Sequence, residues 1–332
     1  MIAWQDGAAA WRAMGSPIRL VPLGRGDADA RALAAAVQAD LEASEQAMSR
    51  FRPSAELVRL NDRLGAWTQV STRLYAALAS AARAHRLTGG RFDPRVLTRL
   101  EAIGYAGAPR KAGTGSPDGP WLEREPRRRR VRLEAPLDLG GIGKGLGVRW
   151  AARVAAAGAP SFLLDAGGDL LARGRGPDGR GWRIGVEDPR RPDDLIAALL
   201  LPAGGAVCTS STARHRWQAA GRQVHHLIDP RSGEPGGRGL LAVTVVASDP
   251  AWAEVWSKAL FLEGADGIAA AATGRAALWV AEDGRVGMTD QAAALVLWLA
   301  PAARGPAAPS APPGLPGPLT TVPEFARVAA WR

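Results

Sequence analysis

The order of apolar patterns along the chain predicts an α+β fold of mixed sheets with packed helices. Segments with a period of 3.6 and segments with a period of 2 follow one another irregularly. They lack the strict alternation that builds a doubly wound parallel sheet. The one literal G-x-G-x-x-G pattern, Gly174 to Gly179, contains Pro177 and runs into the strand-like Trp182–Val186. A dinucleotide fingerprint would instead open a helix, so this stretch reads as a hairpin loop. At 332 residues the chain can bury a large core, and 47% hydrophobic with 22% charged residues is an ordinary globular composition.

Alternation predicts a first strand at Ile18–Leu23, and helical spacing predicts helices at about Ala28–Met48 and Thr72–Leu87. A hairpin spans Trp121–Leu137. From Leu137 a short apolar strand enters the Gly140-Gly141 turn, and a helix from Ile142 carries Val148, Trp150, Ala151 and Val154 on its apolar face. Strands follow near Phe162–Leu164, Leu170–Arg173, Trp182–Val186, Ile196–Leu201 and Val224–Ile228. The last unit is a strand at Ala242–Ala247, a helix begun by Asp249 and Pro250, and strands at Ala277–Ala281 and Arg285–Met288. Residues 301–318 are rich in Pro, Ala and Gly and predict an extended connector. Residues 319–332 predict a short apolar element docking back through Phe325, Val328 and Trp331.

The formal net charge is +10. Its densest basic run, Arg127–Arg130, is flanked by Glu123 and Glu125 and followed by alternating Val131 and Leu133, which reads as the outward face of a strand. No aromatic interleaving or DNA-binding motif accompanies it, so no nucleic-acid partner is expected; a basic surface around an anionic ligand explains the charge. No apolar run reaches the roughly 20 residues that span a bilayer, and no membrane insertion is expected. The first residues carry neither a signal-peptide pattern nor a lipid-attachment cysteine, so the expected location is the cytoplasm. The one cysteine, Cys208, excludes an internal disulfide and a cysteine-based zinc cluster, and reads as a small core residue.

The stretch Leu137 to Leu146 carries the most chemistry. Gly140, Gly141 and Gly143 let a phosphate approach the backbone, the start of a helix offers free N–H groups and partial positive charge, and Lys144 adds a full charge. Only Lys111, Lys144 and Lys258 among the 42 basic residues are lysine, so an indifferent lysine would be arginine in this chain. The stretch is not a Walker A loop, because Asp138 stands five residues before Gly143 and Gly145 follows Lys144. A tight connection with a solvated lysine is the competing reading. Likewise, the two glycines of Asp165-Ala-Gly-Gly-Asp169 mark either a bulge or a ligand approach. Asp93 before Pro94 reads as a helix cap, and His226 as a structural histidine near a turn.

Further segments change this balance. Met14-Gly-Ser16, Met48 to Asn61, Thr88 to Pro94, Leu137 to Gly145, Asp165 to Asp169, Trp182 to Pro189, Cys208 to Ser211, His226 to Gly233 and Ala253 to Phe261 occur in that order. From roughly Arg12 to Gly287 this set resembles the FAD:protein FMN transferase (ApbE) family. The resemblance implies one domain over residues 1–300, FAD as substrate and Mg2+ as cofactor. It also implies an acceptor flavoprotein offering a Ser or Thr hydroxyl. That hydroxyl attacks the FMN-side phosphorus of FAD, and AMP leaves.

On the same basis Met14, Ser49, Phe51, Asp93, Gly140, Gly141, Gly143, Lys144, Asp165, Gly167, Gly168, Asp169, Thr209, Ser210 and His226 are expected around FAD. His226 is the expected base, because imidazole titrates near neutrality. Asp229 is expected to orient its loop or accept from the ring, and Lys144 to neutralise phosphate. Strand alternation turns the neighbouring His225 to the other face. Where the family shows Asp and Thr as metal ligands, with a carbonyl matching Gly143, this chain has Glu254 and Lys258. Glutamate is a competent hard ligand and lysine is not. Either the Lys258 ammonium replaces a cation's charge, or the two form a plain i,i+4 salt bridge. An FAD pyrophosphatase using water as nucleophile and a non-catalytic FAD binder are the alternative functions.

Overall fold

The computed structural model describes residues 2–105, 107, 108, 120–213, 215–301 and 326–328. It opens with β1 (Ala3–Gln5), β2 (Ala8–Ala13) and β3 (Ser16–Leu23). Met14 and Gly15 join the last two strands at φ 52° and 70°, a left-handed pair whose twist suits a two-residue hairpin. Next come α1 (Asp27–Met48), α2 (Glu56–Asn61), β4 (Thr68–Gln69) and α3 (Thr72–Leu87), the last capped by Ser71 accepting from the Leu74 N–H. The helix α4 (Leu97–Ala102) and the hairpin β5 (Leu122–Glu125) with β6 (Arg130–Leu133) follow.

The second half begins with α5 (Gly143–Gly158), β7 (Ser161–Ala166), β8 (Asp169–Arg173), β9 (Trp182–Asp188) and β10 (Arg191–Leu201). It continues with β11 (Gly204–Ser211), β12 (Arg216–Ala219), β13 (Arg222–His225) and β14 (Leu240–Ala247). After these come α6 (Pro250–Phe261), α7 (Gly264–Ala271), β15 (Ala276–Ala281), β16 (Val286–Met288), α8 (Asp290–Ala293) and β17 (Val296–Leu299). A last short strand, β18 (Ala326–Val328), pairs in parallel with β9.

Nine strands form one sheet in the order β1-β2-β3-β7-β8-β11-β14-β15-β16, antiparallel at every step. Its two faces are covered differently, and the period of two along β7 shows how. Phe162 and Leu164 pack with Val37 and Leu41 of α1 and Val148 and Ala151 of α5. Leu163 points the other way, to Ile184 and Val186 of β9 and Ile196 and Leu199 of β10. The sheet β17-β10-β9-β18 therefore backs one face, while α1, α5 and α6 back the other. Complete burial of side chains such as Phe162, Ile18 and Leu20 stabilises the assembly by roughly 1.5–3 kcal/mol each.

The α+β class stands, with local corrections. Leu137–Leu139 is extended chain and not a strand. The Asn61 amide takes the place of a neighbouring strand there, donating to the Leu137 carbonyl and accepting its N–H, both at 2.9 Å. Arg127 and Arg128 form a 3-10 turn with Arg129 at φ 47°, so the basic run is mostly the tip of the hairpin. Gly174–Gly179 carries the chain from one sheet to the other and closes no hairpin. Cys208–Ser211 belongs to the central strand β11, and β13 ends at His225, one residue before His226. The expected connector lies outside the described residues beyond Pro301, as do Phe325 and Trp331 of the tail.

Candidate active site

On the helical face, the start of α5 meets the β2–β3 turn, the β7–β8 turn, β11 and α6. A cavity of about 450 Å³ opens there, lined by Met14, Ser49, Phe51, Tyr105, Gly140, Gly143, Lys144, Gly167, Gly168, Asp169, Thr209, Ser210, His215, His226, Glu254 and Lys258. A side pocket of about 70 Å³ adjoins it across Tyr105, His226 and Lys258, and adds Phe92, Asp93 and Gly141. Most of the residues expected around FAD are thus brought together. Asp93 and Gly141 border only the side pocket, and Asp165 and Asp229 lie on neither wall.

Glycines set the approach distances. A Cβ at Gly145 would stand 2.5 Å from the Pro250 carbonyl oxygen, and one at Gly147 would stand 2.5 Å from the Met14 sulfur. These two glycines let α5 lie directly against α6 and the β2–β3 turn. A Cβ at Gly141 would meet the Lys258 Nζ at 2.6 Å, so that glycine makes room for a lysine and not for a ligand. Gly167 and Gly168, at φ 66° and 97°, form the two-residue β7–β8 turn; neither a bulge nor a strand interruption is present. Asp165 holds this turn by accepting the Gly168 N–H at 2.8 Å, and burial pushes its carboxyl up to about 7.

Two lysines face the cavity in different electrostatic states. Lys144 forms an ion pair with the buried Asp169. Burial opposes its charge, but Asp169 and Glu254 outweigh this and hold its pKa above the ordinary lysine value. The Lys258 ammonium makes no hydrogen bond and no ion pair among the described residues. Burial pulls its pKa down, against the more distant pull of Glu254 and Asp138. Asp138 is engaged by the Arg50 guanidinium at 2.5 Å. Glu254 accepts the Gly145 N–H at 2.7 Å and so caps α5, whose own N-cap residue, Ile142, offers no side-chain bond. The alternative reading, an i,i+4 salt bridge between Glu254 and Lys258, is not formed among the described residues.

The Glu254 carboxyl is pushed up to about 8, first by burial and then by Asp169. The group best placed for a hard cation is already engaged by the Gly145 N–H and stands one helical turn from an ammonium. No cluster of three His, Cys, Asp or Glu side chains suited to a metal occurs among the described residues. These residues do not fit a protein-held Mg2+, which needs oxygen donors in a near-ideal octahedron.

The opposite wall is aromatic, and most of it was not read from the sequence. Phe51, 54% exposed, meets Tyr105 edge-on at 5.9 Å, and Arg50 lies 4.3 Å and 4.7 Å from the two ring centroids. Tyr105 stacks on Trp217 at 5.3 Å, and His215 meets His226 edge-on at 5.0 Å. Tyr105 lies about 110 residues before His215 and Trp217, which sit two residues apart at the start of β12, and no local pattern brings the three together. Planar ligands bind walls of this kind.

His226 stands between wall and floor. Its Nδ1 is buried without a partner, and burial, then Lys258 and His215, hold its pKa well below the ordinary imidazole value. It is neutral at pH 7 and able to accept a proton. Asp229 does not serve it: that carboxylate accepts from the Arg231 N–H and guanidinium, from 2.7 to 3.1 Å, and shapes its own turn. His225 faces away, edge-on to Phe261 at 6.0 Å. Asp93 caps its 3-10 turn through the Arg95 N–H at 2.9 Å. Ser49 accepts the Phe51 N–H at 3.1 Å, while the Thr209 and Ser210 hydroxyls bond Thr244 and Ser257, both at 2.9 Å.

The chain is similar to the FAD:protein FMN transferase of Klebsiella pneumoniae (strain 342), 26% identical over 273 residues that cover 76% of this chain and 77% of that protein. The Salmonella typhimurium protein of the same name is 27% identical over 272 residues, with the same coverage of each. Among solved structures, the Thermotoga maritima ApbE protein aligns with a TM-score of 0.77 at 25% identity, covering 89% of this chain and 99% of that one. The apo form of the Pseudomonas stutzeri flavinyl transferase ApbE aligns at 0.71 and 27% identity, over 89% and 98%. The ApbE family model matches residues 14–279, and the chain belongs to the ApbE family.

Proposed function

We propose that this protein transfers FMN from FAD to a Ser or Thr hydroxyl of an acceptor protein, releasing AMP. The observation that carries the reading is one cavity joining an aromatic wall to a cationic floor, with the neutral His226 between them. The names of its relatives support the same activity. The flavin or adenine ring lies against Phe51 and Tyr105, and the pyrophosphate lies over the start of α5 near Lys258.

The acceptor oxygen forms a bond to the FMN-side phosphorus as the bond from that phosphorus to the bridging oxygen breaks. The bridging electron pair leaves with AMP, and the hydroxyl proton passes to His226 and on to solvent. Such chemistry is mostly positioning and charge stabilisation, which a fixed helix terminus and ammonium supply. Mg2+, expected from the resemblance, would add neutralising charge at the pyrophosphate. The donors around Glu254 do not fit it, and no step here depends on it.

Incubating the purified protein with FAD, with and without an acceptor domain, tests the reading through nucleotide analysis and acceptor mass. AMP release together with an acceptor heavier by one FMN is the expected result. AMP with free FMN in the absence of acceptor identifies a pyrophosphatase, and FAD binding without AMP identifies a non-catalytic binder.

A further inference from the structure

Resting on the flavin-transfer reading, we infer that the Lys258 ammonium is the built-in cation of the pyrophosphate site, so that FAD binding and FMN transfer proceed without a divalent metal. Lys258 is the cavity cation with no counter-charge. Lys144 is neutralised by Asp169 and Arg50 by Asp138, whereas the Lys258 ammonium has neither ion pair nor hydrogen bond among the described residues. A half-buried ammonium left this way is costly unless an anion completes it.

Its position is constructed. The missing side chain at Gly141 is the space Lys258 fills, since a Cβ there would stand 2.6 Å from Nζ, 3.0 Å from Cδ and 3.0 Å from Phe92. The lysine is held where the main cavity and the side pocket meet, beside His226 and the start of α5. A diphosphate bound there would bring its negative charge to the one ammonium lacking a partner. The carboxylate that would have to hold a divalent ion, Glu254, already accepts the Gly145 N–H and stands one helical turn from that ammonium.

The test measures FAD affinity by calorimetry, and AMP release, for the wild type, Lys258→Met, Lys258→Thr and Gly141→Ala. Each is assayed in EDTA and in millimolar Mg2+, with thermal unfolding as a folding control. The wild type should behave alike in both media. Lys258→Met should lose roughly 10- to 100-fold in FAD affinity in both, the size of one charge-assisted hydrogen bond. Lys258→Thr should be as weak in EDTA but recover with Mg2+, because a hydroxyl replaces a competing charge. Gly141→Ala keeps the charge and misplaces it, and should weaken FAD binding in EDTA. A wild type that binds FAD only with Mg2+, or a folded Lys258→Met that binds like the wild type, overturns the inference. If no protein releases AMP, the flavin-transfer reading fails, and the binding series in EDTA still decides for or against Lys258.

Discussion

Among single residues, His226 has the clearest expected signature. His226→Ala should cost transfer roughly 10²-fold or more while leaving FAD affinity nearly unchanged, because a base acts in the transition state and not in ground-state binding. Its pKa lies below 6.5, depressed first by burial. The acid limb of the rate profile should therefore fall below pH 6.5; steady-state rates from pH 5 to 8 check both points. Lys144 differs in kind. Lys144→Ala leaves Asp169, 3% exposed, without its partner, so the larger effect should be on stability. Because the lysine itself is about one third exposed, roughly 2 kcal/mol is expected instead of the 3–5 of a fully buried pair. Chemical denaturation of the two proteins measures it. The scarcity of lysine marked both Lys144 and Lys258 in the sequence. Which of them an aspartate neutralises depends on the β7–β8 turn folding back over α5, and no local signal reports that.

At the scale of elements, the contact between α5 and α6 fixes the floor of the cavity, and Gly145 makes that contact possible. Alanine favours a helix interior by up to about 1 kcal/mol over glycine. Here its Cβ would press on the Pro250 carbonyl and the Ala251 backbone at 2.5–2.7 Å, and backbone yields less than a side chain. Overpacking of this kind costs about 1–3 kcal/mol. Gly145→Ala should therefore lower the melting temperature by several degrees and weaken FAD binding, as calorimetry of both properties would register. The same elements show what local pattern can disclose. The helices α1 and α3 and the strands β7 and β8 were legible because their apolar spacing repeats over several residues. The strand β11 was not, since Thr209, Ser210 and Ser211 look like a loop until β14 places Thr244 opposite Thr209. The Leu137–Leu139 segment misled in the other direction: its partner is the Asn61 side chain, 76 residues earlier in the chain. The aromatic wall failed for the same reason, because Phe51 and Tyr105 come to lie beside His215 and Trp217 only after folding.

Taken as a whole, the molecule keeps its core apolar and concentrates buried ionisable groups at one cavity: Asp169, Glu254, Lys144 and Lys258 line it, and Asp165 lies behind it, holding the β7–β8 turn. Such concentrations of perturbed groups are typical of functional sites and work against stability. Their cost should be visible in the pH dependence of unfolding. The folded-state pKa of Asp165, about 7, lies above its unfolded value of 3.8, so the native protein binds that proton more tightly. The resulting stabilisation is complete below about 3.8 and is lost as pH rises through about 7. Glu254, about 8 against 4.5, acts in the same direction over a slightly higher window. The histidines oppose them: His225, lowered to about 4, and His226 make the protein less stable as pH falls below 6.5. A profile of the wild type alone mixes these effects, whereas a comparison with Asp165→Asn separates one of them. Asparagine keeps the oxygen that accepts from Gly168 and removes only the titration. The melting temperature of Asp165→Asn relative to the wild type should rise steadily from pH 5 to about 7 and level off above it. A difference that is the same at pH 5 and pH 8 would mean that Asp165 is ionised throughout in the folded protein, and that the β7–β8 turn beside the cavity is better solvated than the burial of Asp165 implies.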